Sequence, residues 1–105
     1  NNQLADEERD SELLMKRKIL YAPDFVCNGG GVINCYHELI HPYSREATMR
    51  DVDMIYGRML EIFKIAKGRK INMQKAANLY AEKRIKEIGD VRKNFVATKS
   101  STALK

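Results

Sequence analysis

No stretch of the 105 residues approaches the roughly eighteen consecutive apolar positions that a membrane helix needs, so no membrane span is read here. The chain opens Asn1-Asn2-Gln3 without a basic run or an apolar core behind it, so no secretory leader is expected from this stretch. It has no initiator methionine, as expected of a segment of a longer protein. Only two cysteines occur, Cys27 and Cys35, with neither a Cys-x-x-Cys pair nor a zinc-ligand spacing. Placed on a helix, residues eight apart would lie about 12 Å apart along the axis, too far for a disulfide. Both therefore read as reduced thiols of a cytoplasmic protein. Nowhere is there a Gly-x-Gly-x-x-Gly turn, so the phosphate-binding element of a dinucleotide fold is missing.

What is present suits one helix-rich domain at most: 44% apolar and 31% charged residues in 105 positions. The net charge is +5. From Glu82 onward seven basic and three acidic residues leave +4 of it in the last part of the chain. Phe95 is the one aromatic residue there, with no series of aromatics interleaved to stack on bases, so the basic end reads as solvated surface and not as a nucleic-acid site.

Periodicity places the elements. Leu4 to about Arg17 reads as a helix, with Asp6, Glu7, Glu8 and Asp10 at its positive end and Lys16, Arg17 and Lys18 at its negative end. Ile19-Leu20-Tyr21-Ala22 reads as a short buried strand, and Pro23 holds Ala22 extended. Val32, Ile33, Tyr36, Leu39 and Ile40 suggest one face of a helix that Pro42 ends. Ser44 can cap a longer helix whose apolar stripe runs from Val52 to Ala66 and which Gly68 would close. Asn72 can cap another, striped by Met73, Ala76, Ala77, Tyr80, Ala81, Ile85 and Ile88, with Gly89 as an interruption or end. About four helices and one strand result. A lone strand leaves its backbone groups without partners, which argues for a place in a larger α/β unit.

The densest signal is Tyr21-Ala22-Pro23-Asp24-Phe25-Val26-Cys27-Asn28-Gly29-Gly30-Gly31-Val32-Ile33-Asn34. Three successive glycines cost backbone entropy, about 0.5–1 kcal/mol each against alanine in a regular element. That cost is tolerable where the chain turns sharply or a ligand comes close to the backbone. A plain glycine-rich helix start stays open as the simpler reading.

This segment resembles the substrate-side turn of the glutamate/leucine/phenylalanine/valine dehydrogenase family, and most closely its leucine and phenylalanine branch. There, Tyr-Ala-Pro-Asp is followed by an Asn-Gly turn and Val-Ile-Asn. Gly29 departs from the family's usual alanine, and Cys27 from its usual apolar residue. The opening Asn1-Asn2-Gln3-Leu4-Ala5 is similar to a second family motif. The resemblance implies the C-terminal part of an α/β, Rossmann-type NAD-binding domain. Its expected layout is 1–42 as the end of the dinucleotide-binding domain, 43–95 as a helical hairpin and 96–105 as a disordered tail.

The resemblance also implies an activity. This is oxidative deamination of an apolar amino acid to a 2-keto acid, with NAD (or NADP) as hydride acceptor, in a homo-oligomeric cytoplasmic enzyme. Asn2 and Asn28 become the expected cofactor-binding residues. Gly30, Gly31, Val32 and Cys35 become the expected substrate-binding residues. An amide has both a donor and an acceptor, so it can hold a neutral polar group without adding charge. Capping for the asparagines, and core packing for Val32 and Cys35, remain the alternatives. An uncharged pocket disfavours an acidic substrate side chain, since an unpaired buried carboxylate is costly. No catalytic residue is expected in this segment, because the family's lysine and aspartate lie in a domain it lacks; alone it is expected to be inactive. His37 and His41 share a helix face, but no third ligand is evident, so no metal is expected. A helical interaction module without catalysis is the rival reading.

Overall fold

In the α1 helix, Glu7–Lys16, the start is fixed by a reciprocal box. Asp6 accepts from the Arg9 backbone N–H at 2.9 Å, and Asp10 accepts from the Asp6 backbone N–H at 3.0 Å. The Arg9 side chain and that N–H hold the Asp10 carboxyl below its ordinary range. The computed structural model describes residues 3–40 and 42–103, with side chains through Phe95. Asn2 and His41 lie outside the described residues. After α1 come α2 (Asp24–Cys27), α3 (Gly30–Leu39), α4 (Arg45–Arg69) and α5 (Met73–Ala103).

The expected strand at Ile19–Ala22 is absent, and no strand occurs among the described residues. The physical reason is the one that made the reading uneasy: no second strand offers its backbone for pairing. The segment instead follows Lys18, whose φ of 56° breaks away from α1, and leaves Ile19 49% and Leu20 76% exposed. A single helical turn, α2, adds a fifth helix to the four expected. No described helix is long and apolar enough to cross a membrane.

Ser44 and Asn72 cap as their side chains allow. Ser44 accepts from the Ala47 N–H at 3.1 Å, and Asn72 accepts from the Lys75 N–H at 2.9 Å. The expected glycine stops do not operate. α4 passes through Gly68 to Arg69 and is closed by Lys70 in the left-handed region, φ 56°. Ile71 and Lys70 then donate back to the Ala66 carbonyl, which satisfies the helix end. α5 runs on through Gly89, and its backbone continues into the segment expected as a tail. Since a side chain strains the left-handed region, Lys70→Gly is expected to stabilise the chain by roughly 0.5–1 kcal/mol. An unchanged or lower urea midpoint would show that Lys70 is not strained.

Packing joins α4 to α5 most extensively, then α3 to α4, α1 to α5 and α2 to α4. Ile62, Ala76 and Ala77 are fully buried where α4 and α5 meet, flanked by Val26, Met59, Ala66 and Tyr80. The two alanines let the helices approach. Asn72 ties α1 in by donating its amide N–H to Glu12. Little else is enclosed: Tyr56, Ile85, Ile88, Val91 and Phe95 are each more than half exposed. The radius of gyration is 17.9 Å, against about 13 Å for a compact chain of this length.

Candidate functional site

Pro23 starts α2 with its fixed φ of −56°, and one turn later Asn28 closes it, donating its backbone N–H to the Asp24 carbonyl at 2.8 Å. Gly29 then serves as the N-cap of α3. The glycine turn therefore links helix to helix, where a strand-to-helix junction was expected. It also relocates Asn28, which caps the end of α2 and not the start of α3.

No described glycine has a positive φ, so the three-glycine run is not required by backbone conformation. Gly29 has neighbours: a Cβ there would make ordinary contact with Ile55 Cδ1 at 3.8 Å. Gly30 and Gly31 are different, since a Cβ at either would meet nothing within 4 Å. Neither the fold nor the packing of this chain calls for glycine at those two positions.

Beyond the turn, α3 turns its two sides to different surroundings. Ile33 is half buried, and His37 is buried against Asp51 of α4. Val32, Cys35, Tyr36 and Leu39 recur at three- and four-residue steps on the other side and are exposed, Val32 by 74%. The single apolar face expected from sequence is thus divided. Val32 and Cys35 do share a side, together with Gly31, and both are exposed in this chain. Asn28 is also exposed. Asn28, Gly31, Val32, Cys35, Tyr36 and Leu39 carry no acidic or basic side chain, and the exposed Glu38 follows Cys35 by three residues on the same helix.

The structure links the two sequence motifs. The Gln3 backbone N–H donates to the Asp24 carboxylate at 3.1 Å, which brings the chain next to Asn2 to the base of the turn that carries Asn28. The Tyr21 phenol is pushed above its ordinary range, first by burial and then by the Asp24 carboxylate. Sequence reasoning assigned Asp24 no role. Its place directly after Pro23, at the first helical position, was the available signal.

Sequence reasoning weighed His37 only as a metal ligand. Its Nε2–H donates to Asp51 Oδ2 on α4 at 2.6 Å, and its ring meets Tyr36 edge-on at 5.5 Å. The signal was a titratable residue four places from Ile33 on the buried side of a helix. Asn34 adds a second fastening by accepting from the Tyr43 hydroxyl at 2.9 Å. Among the described residues no group of three potential metal ligands converges. Cys27 and Cys35 are both free and exposed.

With this geometry in view, the comparisons agree with one another. The family model for glutamate/leucine/phenylalanine/valine dehydrogenase matches residues 5–92. L-tryptophan dehydrogenase from Nostoc punctiforme is 46% identical over 85 residues, 81% of this chain and 24% of that protein. Leucine dehydrogenase from Thermoactinomyces intermedius is 45% identical over 96 residues, 91% of this chain and 26% of that protein. The crystal structure of L-tryptophan dehydrogenase from Nostoc punctiforme superposes with a TM-score of 0.78 at 45% identity, covering 83% of this chain and 26% of the other. The chain spans about a quarter of the length of these relatives. It belongs to the glutamate/leucine/phenylalanine/valine dehydrogenase family.

Proposed function

We propose that this segment forms one wall of the nicotinamide and substrate site of an amino-acid dehydrogenase, which converts an apolar L-amino acid to a 2-keto acid. The observation that carries the reading is the pair Gly30 and Gly31, which this chain's own structure does not need and above which there is open space. Glycine retained at an entropic cost, with no internal reason, fits close approach by a group from outside the chain.

The residues present fit a nicotinamide dinucleotide and a neutral substrate. Asn28 offers an uncharged donor and acceptor at the turn. Asn2 is assigned the same role through its motif, and Gln3 ties that motif to Asp24. Val32 and Cys35 offer an apolar surface one helical turn away, suited to an aliphatic or aromatic side chain. When bound, the nicotinamide supplies the hydride acceptor. The segment's own contribution is orientation and exclusion of water. Proton transfer belongs to the lysine and aspartate that the family carries outside this region. In the parent, the outward face of α5 is covered by the remaining three quarters of the enzyme and by further copies of it, and that of α3 borders the site.

Two outcomes test the proposal. The purified 105 residues alone are expected to give no NADH above blank with leucine or phenylalanine; turnover by this chain would contradict the division of labour. The stronger test uses a hybrid in which these residues replace the matching quarter of the Thermoactinomyces leucine dehydrogenase. Asn28→Ala in that hybrid is expected to lower kcat/KM by about tenfold or more, equivalent to 1.4 kcal/mol. Unchanged kinetics would leave Asn28 only its backbone cap of α2, which alanine supplies equally.

A further inference from the structure

α3 has ten residues, about 15 Å of helix, and only His37 among them is buried. So short a helix with so little enclosed apolar surface is not held in place by packing alone. What fastens it to α4 is the 2.6 Å contact between His37 Nε2 and Asp51 Oδ2. The imidazole side chain is 8% exposed and the carboxylate 47%, so the contact is shielded from water at one end and open at the other. At 100° per residue, Val32 and Cys35 project from the side of α3 opposite His37. Any movement of the histidine end therefore carries those two side chains with it, as parts of one rigid rod.

We infer that the His37–Asp51 pair is a positioning device for the substrate-facing side of α3. Neither residue touches the site; they set where Val32 and Cys35 stand. The half-buried Ile33 offers an apolar contact that has no direction, and the Tyr43–Asn34 hydrogen bond ties α3 to the connecting loop and not to α4. A hydrogen bond between a ring nitrogen and a carboxylate fixes both distance and angle. Displacement of about 1 Å at a binding wall can cost as much as a hundredfold in rate. This inference rests on the proposed assignment of Val32 and Cys35 to the substrate pocket.

The test uses the hybrid enzyme described above, with leucine, valine and phenylalanine as probes. His37→Ala and Asp51→Ala are each expected to raise KM for leucine by about tenfold, to change kcat by less than about threefold and to alter the ranking of the three amino acids. The double variant should be no worse than either single one, because one contact is lost in all three. Asp51→Asn keeps an acceptor oxygen at the same place and should restore KM. Should His37→Ala fail to fold, Asp51→Ala, at a half-exposed position, decides the matter. If these variants lose only thermal stability, with KM and ranking unchanged, the pair is structural and the inference is overturned. The proposed function survives that result if Cys35 substitutions still change the ranking. A folded hybrid that has no activity before any substitution overturns both.

Discussion

Replacing Gly31 by alanine is expected to strengthen the fold and weaken the enzyme. Gly31 lies in the first turn of α3 with ordinary helical geometry, and a Cβ there meets nothing within 4 Å. Alanine at such a place should add about 0.5–1 kcal/mol of stability through helix propensity and reduced freedom of the unfolded chain. In the hybrid enzyme the same methyl group would enter the space assigned to substrate or cofactor. Overfilling a closely packed contact costs about 1–3 kcal/mol, so kcat/KM should fall roughly tenfold to a hundredfold. The opposite signs separate the explanations. If alanine leaves kcat/KM unchanged while raising the melting temperature, nothing approaches that backbone and the glycine is incidental.

Cys35→Leu is expected to have an effect as large, directed at substrate choice. Cys35 lies one turn beyond Val32 on the outward side of α3, free and exposed, so a larger side chain disturbs nothing within this chain. Its added bulk would narrow the pocket. A methylene's worth of fit in an apolar pocket is about 1–3 kcal/mol, or 10–200-fold. The penalty should fall on the bulkier substrates, so phenylalanine and leucine should lose kcat/KM relative to valine. Identical relative rates for the three amino acids before and after substitution would remove Cys35 from the pocket.

Much of this architecture was legible because local chemistry decided it. Ser44 and Asn72 cap as Ser and Asn do wherever a helix must begin. The α4 and α5 stripes meet at Ile62, Ala76 and Ala77 because spacing at three and four residues specifies a face. The motif resemblance located the turn and the family. What misled was context that residue patterns do not contain. Ile19 to Ala22 has the composition of a strand, but strand formation is a property of pairs. Gly68 and Gly89 looked like stops, yet glycine merely permits an end; Ala66 and Lys70 made the first one. Reading α3 as a single apolar face failed for a related reason. Helical spacing says which side chains are neighbours, not which side is covered, and the covered side was marked by His37 and not by the more apolar residues.

The outward setting of Val32 and Cys35 bears on how this family could diversify. Side chains that make no contact within their own segment can usually be exchanged for less than about 0.5 kcal/mol of stability in either direction. At these two positions, then, selection on the preferred amino acid would meet little resistance from selection on folding. Substrate range could drift by single steps, each viable as a folded protein, while Ile33 and His37 on the covered side stay under packing constraint. One short helix would keep heritable specificity and heritable stability on separate faces.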